Sequence, residues 1–233
     1  MAKPKDEEQE QAKPRGCVSR LLVLGLFLAA VGLGFALYFM AQPQDLSDIK
    51  GYRPDSRDIL RRDFRKMFQT SLDRSYPVTV TECEINTWLA EVVRTKQTGL
   101  AAPYVTLTGM WVRLENGYAE LVMERSIMGK PFTVSMFLQV AQTEDAEGIH
   151  TEVKLHGGGY HEYLPFPKRG GRFGKLAVPQ GFLVLVLPAY KNFAKICPEE
   201  IELGFEKMAR IKIEKGRLTL DPRVPTRTVT NPP

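Results

Sequence analysis

Residues 21–40 form an uninterrupted apolar run, LLVLGLFLAAVGLGFALYFM, without a charged side chain. A helix of about 20 residues is long enough to cross the hydrocarbon core of a bilayer. The run is longer than the roughly 7–15 apolar residues of a cleaved signal peptide, and no small-residue cleavage site follows it. We therefore interpret 21–40 as an uncleaved, single-pass membrane anchor.

The charges on either side of this run predict its orientation. Lys13, Arg15 and Arg20 precede it, whereas Asp45 and Asp48 follow it. Because the cytoplasmic flank of a membrane span carries the excess of Lys and Arg, the N-terminus is expected in the cytoplasm. Everything after the span is then expected outside the cytoplasm, as a signal-anchored domain of a cell envelope.

The rest of the chain divides by composition. Residues 1–20 are polar and of mixed charge, which predicts a disordered cytoplasmic tail. We interpret 41–53 as a short linker, 54–221 as one extracytoplasmic domain and 222–233 as a loose, proline-rich tail. A stretch of about 170 residues is the size of one ordinary domain.

Small residues in the anchor indicate a possible partner helix. Gly25, Ala29, Gly32 and Ala36 are four, three and four positions apart, which places them on one helix face. Such a face lets a second copy, or another membrane helix, approach closely. The alternative is that Gly and Ala are simply common in membrane spans.

A period-two pattern from 104 to 156 predicts four antiparallel strands. Turn sequences separate the four segments at Asn116-Gly117, at 128–131 and at 145–148. One face of the predicted sheet is apolar and rich in methionine, and the other face is polar.

Helices and short strands are predicted around this sheet. A helix is expected from Pro54 to about Leu72. The capping-box pair Thr81 and Glu84 predicts the start of a second helix, which is expected to end at about Thr95. Residues 157–175 are glycine-rich and basic and are predicted to form a loop, followed by a short strand at 175–178.

The last part of the domain is predicted to hold one helix and three strands. The stretch 180–196 is apolar on nearly all sides, which predicts a buried helix. A strand is expected at Ile201–Phe205, and a hairpin at Ile211–Ile213 and Arg217–Leu220. The fold class is therefore α+β, with a curved antiparallel sheet packed on helices.

The motifs of common catalytic sites are missing from the sequence. His161-Glu162 begins like a zinc-protease motif, but Pro165 stands where the second histidine is needed. The stretch 170–175 lacks the spacing of a phosphate loop, and no GxSxG is present. We predict a protein that is not an enzyme and that has no metal and no cofactor.

The sequence does not determine whether the two cysteines of the outer domain, Cys83 and Cys197, form a disulfide. Each lies at an end of a predicted helix, so that proximity is possible but does not follow from the sequence. Two buried free thiols are the preferred interpretation.

A basic cluster offers a candidate site for an anion. Lys168, Arg169, Arg172 and Lys175 are interleaved with aromatic residues. A net charge of +5 is low for a nucleic-acid-binding protein, and the predicted topology excludes RNA and DNA as partners. Lipid headgroups or an anionic envelope polymer are the expected ligands, and a solvated loop is the alternative.

Three short motifs resemble a known family. They are T-x-x-E-I-N-x-W-L at Thr81–Leu89, F-G-K-L-A-V-P at Phe173–Pro179 and I-K-I-E-K-G-R-L-T-L at Ile211–Leu220. In this order the chain from Val78 to Leu220 resembles the YpmS-like family of single-pass, extracytoplasmic domains. Its general pattern is also similar to tubular lipid-binding (TULIP-like) folds, and the resemblance implies a curved sheet around a long apolar helix.

The large apolar surface predicts a lipid-binding function. The apolar strand face and the 180–196 helix together offer more apolar surface than a two-layer domain needs. We expect a lipid or other apolar ligand to contact Met136, Leu138, Phe182, Leu183, Val186, Tyr190 and Phe193. The alternative is a non-catalytic structural or interaction module of a cell-envelope complex, with the same residues in a closed core.

Overall fold

A computed structural model of the chain describes residues 17–52, 62–96, 105–144, 149–161 and 163–223. The chain forms two units, residues 1–38 and 39–233. The first helix, α1, spans Cys17–Ala41, beginning four residues before the predicted anchor. Its stretch Val18–Ala41 has the length and composition of a membrane span.

Two further helices precede the main sheet. Helix α2, Phe64–Arg74, begins where the Asp63 side chain accepts a hydrogen bond from Lys66 N; its predicted start at Pro54 lies outside the described residues. Strand β1, Val78–Thr81, leads into α3, Glu82–Lys96. The predicted capping box is present, because Thr81 N donates to Glu84 Oε2 at 2.8 Å and Glu84 N donates to Thr81 Oγ1 at 3.3 Å.

The predicted four-stranded meander is confirmed. Its strands are β2 (Val105–Glu115), β3 (Tyr118–Ile127), β4 (Lys130–Glu144) and β5 (Ile149–Lys154). Each pairs antiparallel with the next, and two-residue turns at 116–117 and 128–129 join the first three.

The prediction of a loop over 157–175 is wrong, because most of this stretch is strand. Strands β6, Gly159–His161, and β7, Leu164–Phe173, are followed by β8, Leu176–Pro179. The glycines have a packing role: a Cβ at Gly171 would collide with the Ser135 carbonyl, and one at Gly170 would meet the Gln180 backbone. The glycines therefore allow close backbone approach within a strand.

Four helical segments follow β8. A 3-10 helix, Gln180–Leu185, precedes α4, Leu187–Ala194, so the predicted continuous helix over 180–196 is interrupted. The predicted strand Ile201–Phe205 is also wrong, since α5, Pro198–Ile201, continues into a π-helical turn, Glu202–Glu206. Proline in the first turn and acidic residues beside it favour a helix start there.

The closing hairpin is confirmed and extends slightly further than predicted. Strands β9, Arg210–Glu214, and β10, Arg217–Asp221, pair with each other, and β10 pairs with β1. These three strands form a small sheet. The other seven form a large sheet of order β2-β3-β4-β7-β6, with β5 on β4 and β8 on β7, so the domain is α+β.

Both faces of the large sheet are covered. Helices α3 and α4 pack on the apolar face. Residues 42–52, which fall within the predicted linker, cross the opposite face, and we call them the strap. Leu46 and Ile49 of the strap are buried against Trp111 and Val122. The domain thus begins immediately after α1.

Candidate functional site

Most of the predicted ligand-binding residues lie in the packed interior. Met136, Leu183, Tyr190 and Phe193 are buried in one cluster with α3 residues. Leu138 and Val186 are half-buried against the same cluster. Strand and helix side chains here pack on one another.

Tyr190 holds α4 to the sheet. Its hydroxyl lies 3.0 Å from the carbonyl oxygen of Leu121 and 2.9 Å from that of Val134, so it donates to either strand. Burial, reinforced by the negative charge of Glu120 and opposed by Arg125, raises the pKa of Tyr190 well above its usual range. The hydroxyl therefore remains a donor at every physiological pH.

The 3-10 helix carries apolar side chains on its outer side. Leu183 points into the core, whereas Phe182, Val184 and Leu185 expose 51%, 73% and 72% of their surface. A 3-10 helix repeats every three residues, which places Phe182 and Leu185 on one side. We call these three residues the apolar ledge.

The ledge is connected to the point where the chain leaves α1. Val186 follows the ledge directly and packs against the small cluster Val134, Phe173 and Val178, and Met40 packs against the same cluster. Val186, next to the ledge, and Met40, in the last turn of α1, therefore share one set of supporting side chains.

Backbone hydrogen bonds fix the same connection. Lys175 N donates to Phe39 O at 3.0 Å, and Gly174 N donates to Thr133 O at 2.8 Å. Gly174 has a φ of +54°, and a Cβ there would collide with backbone oxygens of Phe39, Met40 and Gln42. The close seating of the chain against the β7–β8 turn therefore requires glycine. We call this end of the large sheet, where residues 39–44 contact it, the entry end.

Two of the four predicted anion-binding residues contact other groups of the protein. Arg169 donates to Gly157 O from Nε at 3.1 Å and from Nη2 at 2.6 Å. Arg172 Nε lies 3.5 Å from Glu120 Oε1, and both guanidinium groups stack over the Phe137 ring. These two arginines therefore have internal structural roles. Lys168 is half-buried and Lys175 is exposed.

A buried polar network lies under the strap, and the sequence did not predict it. Glu120, 1% exposed, forms an ion pair with Arg113 and accepts a hydrogen bond from Ser135 Oγ at 2.6 Å. Arg113 Nη2 contacts Asp48 Oδ1 at 2.8 Å. Burial lowers the pKa of Arg113, but its hydrogen bond to Asp48 and the charge of Glu120 outweigh burial and raise it. Arg113 thus stays charged and joins the strap to the sheet.

The strap has further polar contacts with the sheet. Gln44 N donates to Thr133 Oγ1 at 2.8 Å, and Gln44 Nε2 lies 3.4 Å from Ser135 Oγ. The signal for this packing is the pair of apolar residues Leu46 and Ile49 in an otherwise polar segment. Their small number made a linker the simpler interpretation.

The described residues contain no group of three or more His, Cys, Asp or Glu side chains placed to hold a metal ion. Within them neither Cys83 nor Cys197 is in a disulfide bond. Cys197 is buried as expected, whereas Cys83 is exposed, which corrects the expectation of two buried thiols.

The predicted small-residue face of α1 has room for a neighbour. A Cβ at Gly25 or Gly32 would have no atom within 4 Å. Packing of Gly25, Ala29, Gly32 and Ala36 against another helix stays a prediction.

Comparison with family models and with curated proteins found no match to this chain. The resemblance to YpmS-like and tubular lipid-binding domains therefore stays a prediction.

Proposed function

We propose that this protein is a non-catalytic, membrane-anchored domain that binds lipid at the extracytoplasmic surface of its own membrane. Helix α1 would span the bilayer, with the N-terminal tail in the cytoplasm. Lipid would contact the domain at the apolar ledge.

The exposure of the ledge is the observation that carries this proposal. Phe182, Val184 and Leu185 lie within four positions of one short helix, and each is more than half exposed. Fully burying one such side chain is worth roughly 1.5–3 kcal/mol. Inserting all three into the acyl-chain boundary would therefore stabilise the bound state by several kcal/mol.

The position of the ledge supports lipid as its ligand. Val186 and Met40 pack on the same cluster, and Met40 belongs to the last turn of the apolar helix α1. If α1 crosses the bilayer, the chain leaves the membrane at this turn. Val186, which directly follows the ledge, would then pack on the same cluster as the residue at which the chain leaves the membrane.

Basic residues near the ledge suit anionic headgroups. Lys175 is exposed in the turn that contacts Phe39. Lys191 on α4 and Lys195 directly after α4 are also exposed. A lysine close to an anionic membrane surface contributes about 1 kcal/mol. Among the predicted anion-binding residues, Lys175 is the one with both the exposure and the location for this role.

The proposal places the ligand outside the core. Of the predicted apolar residues, Phe182 belongs to the ledge. Tyr190 and Phe193 are in the helix that follows it and pack in one buried cluster with Met136. The alternative is an interaction module whose ledge is covered by another protein of an envelope complex. Such a module would carry no lipid.

Co-purifying lipid distinguishes the two functions. We would extract the full-length protein in mild detergent and measure bound phospholipid by native mass spectrometry. The parent protein is expected to retain phospholipid, and a triple variant with Phe182, Val184 and Leu185 replaced by serine is expected to lose it.

The matched control is Val153→Ser, which removes an exposed apolar side chain from β5. It should retain lipid as the parent does. A parent protein without lipid, or a triple variant that retains as much as the control, would overturn the proposed function.

A further inference from the structure

We infer that the β3–β4 hairpin tip, Ile127–Met128, is a second membrane contact that enters the same lipid surface as the ledge. This inference rests on the proposed function, since it requires that the entry end of the domain faces a bilayer. It adds a separate element, on a different pair of strands, to the surface that binds lipid.

The first observation is the residue chosen for the turn. Met128 and Gly129 form the two-residue connection between Ile127 and Lys130, and both have positive φ, +51° and +79°. Glycine, asparagine and aspartate are the residues that suit such a turn. Only two described non-glycine residues have positive φ, and the other, Ser75, ends a helix. Folding alone therefore does not favour methionine at this position.

The second observation is exposure. Met128 is 81% exposed and Ile127 is 37% exposed, and they are neighbours at the tip. The described two-residue turns 116–117 and 215–216 carry Asn-Gly and Lys-Gly instead. An unbranched, flexible methionine at a hairpin tip suits entry into a disordered apolar phase.

The third observation is location. Strand register pairs Val134 with Phe173, and the next residue, Gly174, donates to Thr133 O. The start of β4 therefore lies beside the β7–β8 turn at the entry end. Met128 is five residues before Thr133, so the tip extends about 16 Å further in that direction at ~3.3 Å per residue.

Charge around the tip favours a phospholipid surface. The stretch 125–132 contains Arg125 and Lys130 and no acidic residue. Lys130 is exposed at the base of the tip. An apolar tip with basic residues at its base matches acyl chains below a layer of phosphate groups.

Methionine oxidation tests this contact without altering the tip. We would reconstitute full-length Val153→Met and full-length Val184→Met in nanodiscs of phosphatidylcholine and phosphatidylglycerol. A water-soluble oxidant converts exposed methionine to its sulfoxide, and mass spectrometry gives each rate relative to the denatured protein.

The expected order of the oxidation rates is opposite to the order of solvent exposure. In the structure Met128 is more exposed than Val153, 81% against 44%, so solvent access alone predicts faster oxidation of Met128. Membrane contact predicts oxidation of Met128 severalfold slower than that of the methionine introduced in Val153→Met. The buried Met110, Met123 and Met136 report whether the domain stays folded.

The variants separate failure of this inference from failure of the proposed function. Slow oxidation in Val184→Met with fast oxidation of Met128 would overturn the hairpin contact and leave the ledge in place. Fast oxidation at both positions would overturn both. Slow oxidation at Met128, at the Val184→Met position and at the Val153→Met position alike would show restricted oxidant access and would also overturn the hairpin contact.

Discussion

The side-chain amide of Asn86 forms two hydrogen bonds with the backbone of Val112. Val112 N donates to Asn86 Oδ1 at 2.6 Å, and Asn86 Nδ2 donates to Val112 O at 2.8 Å. Val112 lies on β2, the edge strand of the large sheet. The amide therefore takes the place of a neighbouring strand at this residue and limits further pairing of an exposed edge.

Asn86→Ala is expected to lower the free energy of unfolding by at least about 2 kcal/mol. Asn86 Nδ2 also contacts Lys50 O at 2.8 Å, so the variant leaves backbone groups of the edge strand and of the strap without partners. Urea unfolding of the detergent-solubilised protein measures the change. Asn192→Ala, on the exposed side of α4, is the control. Equal stability of the two variants would show that the Asn86 pairing is not stabilising.

Glu120→Ala is expected to be the most destabilising single change under the strap. It leaves Arg113 and Arg172 without the carboxylate between them, and removing one partner of a buried ion pair costs about 3–5 kcal/mol. Trypsin cleavage after Lys50 should also become faster as the strap detaches. Glu206→Ala, at an exposed position, should change neither the free energy of unfolding nor the rate of this cleavage. An unchanged cleavage rate in Glu120→Ala would argue against the network as the attachment of the strap.

Met128→Asn is expected to stabilise the domain. Asparagine adopts positive φ at lower cost than methionine. The free energy of unfolding should therefore rise by up to about 1 kcal/mol. Thermal unfolding in detergent measures it. Met128→Ala keeps the unfavourable conformation and should give no such gain. A lower melting temperature for the asparagine variant would show that Met128 contributes to folding.

His156 is expected to have a pKa below its ordinary value of 6.5. Burial is the main cause, and the neighbouring positive charges of Lys168 and Lys154 add to it. The unfolded chain then binds the proton more readily, so the contribution of His156 to stability is present above pH 6.5 and falls as the pH drops below it. Imidazole NMR titration checks the shift.

Lys168→Met should raise the pKa of His156, whereas Lys175→Met should not. A value at or above 6.5 in the parent protein would contradict the placement of the three side chains.

Local signals explain why much of the fold was predictable. The turn at Asn116-Gly117, the capping pair Thr81 and Glu84, and the final hairpin each depend on residues within a few positions. Strand β7 was missed because Gly170 and Gly171 are usual in loops, and their reason here is the approach of Ser135 and Gln180 from distant parts of the chain.

The site was less predictable than the fold for the same reason. The apolar character of 180–196 was evident, but which side chains face outward depends on the break between Leu185 and Leu187. The strap depends on contacts between residues more than 60 positions apart, such as Asp48 with Arg113. No periodic pattern in 42–52 indicates that this segment contacts Arg113.

Fluorescence quenching by brominated lipids measures whether the ledge contacts acyl chains. Full-length Val184→Trp would be placed in nanodiscs of lipids brominated along the acyl chain, with Val153→Trp as the matched control. The native Trp111 is buried and Trp88 is half-buried, so the parent protein gives the background. We expect strong additional quenching for Val184→Trp and none for Val153→Trp. Equal quenching of the two variants would show that the ledge does not contact acyl chains.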